Sequence, residues 1–179
     1  VAPAFDGRAS AVAVSAKRLL AVVGRWDHMA GRTEAIREIR VSDGAAPFFL
    51  HYDHTDLGNA PLGYMVENRV LRAALAESIT DEATRITRLT PATVTGFTQG
   101  SDRATLTLAD GRTIDARLAI AADGRTSVLR ELTGISLVNW KYDQMGIVTT
   151  IGHARPHDGI AHEHFLPAGP FAILPLADE

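Results

Sequence analysis

The apolar positions of this chain change their period along its length. After Asp6-Gly7-Arg8, Val12, Ala16, Leu19, Leu20 and Val23 recur at helical spacing and stop at Gly24, predicting a helix with one apolar face. Trp26 and Met29 follow and are expected to pack that helix on the next segment. Glu34 to Val41 alternates instead, with Ile36, Ile39 and Val41 apolar, and ends at Ser42-Asp43-Gly44. It reads as a strand, and Phe48 to Tyr52 is a candidate partner. Asp53 to Leu62, with Gly58 and Pro61, reads as loop. Gly63 to Glu67 predicts a short strand, and Asn68 an N-cap for a helix bearing Val70, Leu71, Ala74 and Leu75.

The second half of the chain continues in strand periods. Ala92 to Phe97, Arg103 to Leu108 and Thr113 to Ile120 alternate around two turns, and Asp110-Gly111 is a strong hairpin signal. Together they predict a β-meander. Its last strand is expected to run through the apolar stretch Leu118 to Ala122, which suits a strand buried on both faces. Asp123-Gly124 then supplies a turn, because glycine takes positive φ without steric penalty. Val128, Leu129 and Leu132 form one side of a helix that Thr126 or Ser127 can cap and Gly134 can stop. Trp140 to Ile151, Gly159 to Leu166 and Phe171 to Leu176 read as three strands of a second, antiparallel sheet.

Composition narrows the class. A length of 179 residues, 46% of them hydrophobic and 22% charged, is that of a globular protein with one or two domains. The net charge of −3 implies no basic face, so nucleic acid is not an expected partner. The absence of cysteine excludes disulfides and thiol chemistry. No apolar run approaches the roughly 20 residues of a membrane-spanning helix. A cytoplasmic protein is expected, and peripheral membrane contact remains compatible.

Three places could carry chemistry. A loop at the carboxyl end of a strand in an α/β sheet is where such folds place ligands, and a helix N-terminus suits phosphate. The stretch around Asp123 has that form, although spacing alone equally describes an ordinary strand–turn–helix corner. His51, Asp53, His54 and Asp56 lie close in sequence, but at the irregular spacing of a solvated loop. His162 and His164 would share one face of a strand, with His157 nearby, which admits a small His-ligated metal-binding β-domain. No further ligand follows them in Phe165 to Pro170, and no metal is assigned. The sequence offers no evident general acid, base or nucleophile, which leaves a non-catalytic module as another reading.

The segment Ala122 to Arg130, ADGRTSVLR, resembles the Asp-Gly motif (D-G-x-x-S-x-x-R) of the FAD-dependent aromatic hydroxylases, the p-hydroxybenzoate hydroxylase-like flavoprotein monooxygenases. Gly63 to Leu75, Trp140 to Ile151 and His162 to Leu176 are similar to the ubiquinone-biosynthesis hydroxylases within that family. The resemblance implies a mixed α/β fold. Part of a Rossmann-like FAD-binding domain with a β-meander (residues 1–33 and 67–135) would be interleaved with an antiparallel-sheet substrate domain (34–66 and 136–179). It implies cofactor contacts from Arg8, Asn68, Asp123 and Gly124, with Ser127 and Arg130 supporting the Asp-Gly loop. It further implies FAD as cofactor, NAD(P)H or another reductant as electron donor, and O₂ as oxygen source. The substrate would be a polyprenyl-phenol or another small aromatic compound, and other proteins of a ubiquinone-biosynthesis complex are expected partners. In such enzymes the cofactor carries the hard chemistry, which accounts for the missing acid, base and nucleophile. The family's Gly-rich dinucleotide loop is expected before residue 1 and a Gly-Asp flavin motif after residue 179, so the chain reads as an internal fragment.

Overall fold

The computed structural model describes residues 7–81 and 85–177. It is a mixed α/β structure in two compact units, Val1–Ile86 with Gly146–Glu179, and Thr87–Met145.

The first unit is built on two sheets. In the first sheet β1 (Ala9–Ala13) and β2 (Thr33–Ile36) flank a third strand, Gly63–Glu67, and both pair with it antiparallel. Between β1 and β2 runs helix α1 (Val14–Val22). The second sheet contains β3 (Glu38–Asp43) and β4 (Phe49–Asp53). With the Gly63–Glu67 strand numbered β5, helix α2 (Asn68–Asp81) follows it directly.

Alternation along β5 explains why it is central. Val66, fully buried, enters one core with Val12, Trp26, Met29, Val70 and Ala74. Met65 points the other way and packs with Ile36 and Ala161, with Ile39, Leu62 and Leu176 around them. The core of α1 is modest by comparison: Leu20 reaches it, but the helix has no buried residue. Lys17 ties the helix down, its Nζ 3.0 Å from the Tyr64 hydroxyl and 4.7 Å above that ring's centroid.

The second unit holds the meander β6 (Val94–Gln99), β7 (Ala104–Leu108) and β8 (Thr113–Ala116), antiparallel in sequence order. The expected Asp-Gly turn closes β7 to β8: Gly111 has φ +86° and the Asp110 carboxylate accepts the Arg112 N–H at 3.1 Å. Helix α3 (Val128–Leu132) lies against β6. Returning to the first unit, β9 (Ile160–Leu166) and β10 (Gly169–Ile173) complete the second sheet in the order β10-β9-β3-β4.

Several sequence expectations are corrected. The helix expected from residue 6 begins only at Val14; Asp6 lies outside the described residues, and Ala9–Ala13 is strand. Pairing with β5 overrides the helix propensity of its alanines. Glu34 to Val41 is two strands, not one. Ile36 and Ile39 are three apart and cannot share a face of one strand, yet both pack in the same core. The chain breaks at Arg37, whose N–H donates to the Gly159 carbonyl at 2.8 Å and whose carbonyl accepts from His54 at 2.9 Å. The second sheet is mixed, because β3 and β9 run parallel. Leu118 to Ala122 and Trp140 to Ile151 are not strands. A strand buried on both faces needs ladder partners, and none of the described strands pairs with either run; Ile120 is 78% exposed and Ile147 88%.

Met29→Ala is expected to destabilise the fold by about 2–5 kcal/mol, because its side chain is fully buried and the cavity cannot collapse completely. Met29→Leu, which conserves volume, should stay under about 1.5 kcal/mol. Denaturant midpoints of the full-length protein measure both.

Candidate functional site

The Asp-Gly motif folds as a self-contained loop, and each of its four defining residues has a visible part in it. Asp123 Oδ2 accepts the N–H of Val128 at 2.8 Å and of Leu129 at 3.4 Å. Ser127 is the N-cap of α3, its Oγ accepting the Arg130 N–H at 3.1 Å. Arg130 reaches back, donating from Nη1 to the Arg125 carbonyl at 2.9 Å. Gly124 has φ +90°, and a Cβ placed there would meet nothing within 4 Å, so the backbone is open to a flat group approaching it.

The electrostatics follow from these bonds. The Ser127 hydroxyl first, then the backbone N–H groups, hold the Asp123 carboxyl below its ordinary range, against the opposing effect of desolvation. The far end of α3 is equally well closed. Gly134 (φ +71°) donates to Glu131 and Ile135 donates to Arg130, the two bonds of a Schellman motif. The first three N–H groups of α3 are therefore taken by Asp123 and Ser127, and the expected phosphate contact at this helix N-terminus lacks free donors there.

Arg8 and Asn68 lie in the other unit and are brought together. Arg8 is exposed, just before β1, and its carbonyl accepts the Asn68 N–H at 3.0 Å. Asn68 is the first residue of α2, one place inside the expected cap, and its Oδ1 accepts the Ser10 hydroxyl at 2.7 Å. The Arg8 backbone and the Asn68 carboxamide thus stand where β1 and β5 meet α2.

The histidines form no metal centre among the described residues. His157 Nδ1 accepts the Gly159 N–H at 3.0 Å, which makes Nε2 the donor to the Leu176 carbonyl at 3.1 Å. His164 Nε2 lies 2.9 Å from the Gly44 carbonyl. His51 Nε2 sits 2.7 Å from Glu38 Oε1, and His54 Nδ1 3.2 Å from Asp53 Oδ1.

The sequence reading missed a cluster centred on Glu38. Its carboxylate faces both His51 and Arg40, and the Arg40 guanidinium lies 5.6 Å above the Phe49 ring. The hydrogen bond from Arg40 first, and then its charge, hold the Glu38 carboxyl below its ordinary range, against desolvation and the nearby Asp53 carboxylate. The signal was in the alternation. Glu38 and Arg40 in β3, and Phe49, His51 and Asp53 in β4, are two apart within each strand and so share a sheet face.

The fold is shared with solved structures, one of them a complex with FAD. HpxO from Klebsiella pneumoniae (an R204Q variant solved with FAD) superposes over 95% of this chain and 45% of its own, with a TM-score of 0.65 at 18% identity. FqzB superposes over 75% of this chain and 31% of its own, with a TM-score of 0.59 at 22% identity. Relatives found by sequence are more similar. The ubiquinone hydroxylase UbiL of Rhodospirillum rubrum is 47% identical over 98% of this chain and 41% of its own length. The human ubiquinone biosynthesis monooxygenase COQ6 is 33% identical over 97% of this chain and 39% of its own. No protein-family model matches the chain. The chain is similar to these two proteins over nearly all of its own residues, and it spans about two fifths of their length.

Two measurements test the loop. Ser127→Ala should cost about 1 kcal/mol of stability in a melting experiment, the usual loss of a helix cap. Asp123 has a depressed pKa in the folded state, so its bonds are complete above the ordinary aspartate value and are lost as pH falls through the folded one. The amide NMR shifts of Val128 and Leu129 should titrate with a midpoint below ~3.9, and the titration should vanish in Asp123→Asn.

Proposed function

We propose that the full-length protein is a FAD-dependent monooxygenase that hydroxylates the aromatic ring of a polyprenyl-phenol intermediate in ubiquinone synthesis. The observation that carries this reading is the 47% identity to a named ubiquinone hydroxylase across 98% of the chain. NAD(P)H or another reductant supplies two electrons, one atom of O₂ enters the ring and the other leaves as water. Bound FAD supplies the redox step that couples these, and the protein binds, orients and excludes water.

The residues fit such a cofactor in chemical type. Arg8 offers charge-assisted donors suited to phosphate, and Asn68 offers a carboxamide. Gly124 supports the reading by its open backbone, with Asp123 shaping the loop and Ser127 and Arg130 holding it. The β1-β5-β2 sheet and the meander are assigned to the cofactor domain, which takes β2 and β5 out of the substrate segment 34–66 expected from the sequence, and the β10-β9-β3-β4 sheet is assigned to the substrate domain. The exposed apolar groups of the latter, Phe49, Phe171 and Ile173 among them, suit a prenylated ring. Among the described residues no helix is long and apolar enough to cross a membrane. We assign the protein to the cytoplasm, peripheral at the inner face of the membrane that holds its lipid substrate, with other ubiquinone-biosynthesis proteins as partners.

The test is the visible absorbance of the purified full-length protein. A flavin spectrum that bleaches on adding NAD(P)H is expected, and a colourless protein that takes up no added FAD overturns the reading. Asp123→Ala and Arg8→Ala should remain folded by circular dichroism and lose flavin occupancy or the rate of flavin reduction.

A further inference from the structure

Asn68 is the first residue of α2, yet its side chain accepts no backbone N–H of that helix among the described residues. An asparagine at a helix start ordinarily turns its oxygen onto an N–H of the first turn. Here the Ser10 hydroxyl of β1 donates to Asn68 Oδ1 instead, at 2.7 Å and from 58 residues away in the chain. The β1–β5 register fixes the two partners. Ser10 pairs with Val66, and the Asn68 N–H closes on the Arg8 carbonyl at 3.0 Å. Both residues are half-buried.

This bond decides which end of the carboxamide is on offer. A hydroxyl has one proton, and Ser10 gives it to Oδ1. The planar amide turns over only by breaking that bond. What remains is Nδ2 with its two N–H donors, and Nδ2 has no hydrogen-bond partner among the described residues.

We propose that Ser10 is a positioning residue for the cofactor: by holding Asn68 Oδ1 it presents Nδ2 as a hydrogen-bond donor to an acceptor atom of bound FAD. The inference rests on the function proposed above, which assigns Asn68 to the cofactor. Asn68 thereby acts as a donor and not as an acceptor, and Ser10 acts through it without touching the cofactor. The matching ligand atom is an oxygen with lone pairs to share, of which a dinucleotide's phosphates and hydroxyls have many. Fixing the carboxamide beforehand also removes rotamer freedom that binding would otherwise have to remove.

The test is flavin affinity rather than turnover. Full-length protein stripped of its flavin is titrated with FAD, and the quenching of flavin fluorescence gives Kd. Ser10→Ala should raise Kd about two- to tenfold, the worth of one neutral hydrogen bond. Ser10→Thr retains the hydroxyl and should keep the wild-type Kd. In an Asn68→Ala background Ser10→Ala should change Kd no further, because its partner is gone. Asn68→Asp puts an acceptor where the donor was and should bind FAD more weakly than Asn68→Ala. A purely structural Ser10 would weaken binding by the same factor in both backgrounds, and that result overturns the proposal. An unchanged Kd in Ser10→Ala overturns it as well, and so does an Asn68→Asp that binds as tightly as wild type. Should Ser10→Ala fail to fold, the comparison of Asn68→Asp with Asn68→Ala decides alone. A wild-type protein that takes up no FAD overturns the function proposed above and this inference with it; each of the other adverse results overturns the inference alone.

Discussion

Strand β5 is the constraint on which the first unit depends. It is paired on both edges, by β1 and β2, and it serves a core on each face through Val66 and Met65. Gly63 at its start allows the close approach: a Cβ there would lie 3.1 Å from the Val12 carbonyl oxygen. A shift of one residue in this strand would exchange the two faces and empty both cores at once. The positions of Arg8 and Asn68 are consequences of that register, since Ala9 pairs with Glu67 and the chain enters α2 at the next residue.

The second sheet is anchored to the first by backbone rather than by side chains alone. Gly159, at φ +71°, brings its carbonyl to the Arg37 N–H, at the point where β2 gives way to β3. A Cβ at Gly159 would sit 2.8 Å from the Ala35 carbonyl oxygen, closer than real contacts allow. That close packing lets β9 lie parallel beside β3, and it sets His162 across from Arg40. The polar face of the sheet is thereby assembled from segments more than a hundred residues apart in the chain.

Much of this was legible in the sequence, and the exceptions have physical reasons. The meander could be read because its turns are local, with Asp110-Gly111 closing one hairpin by its own side chain. Strand β5 and helix α2 were legible because period and composition agree there. The start of α1 was not, since Ala9–Ala13 becomes strand only through its partner, Gly63–Glu67, more than fifty residues on. Leu118 to Ala122 and Trp140 to Ile151 have strand composition, but composition does not supply a ladder. In the Asp-Gly loop the residue types were readable and their bonding was not: the donors of the helix N-terminus turn inward, to Asp123 and Ser127. His51 attracted notice for metal binding, while its structural partner, Glu38, became visible only with the β3–β4 register.

The closed bonding of the Asp-Gly loop bears on affinity as well as on shape. Its conformation is set by its own cap, its own arginine and its own glycines before any ligand arrives. In the function proposed above, binding would therefore spend little free energy on restricting this backbone, and the loop would act as a preorganised surface rather than one moulded by its guest. Substitutions at Ser127 or Arg130 would be felt as weaker and slower ligand capture even though neither side chain touched the ligand, because the unliganded ensemble would broaden first.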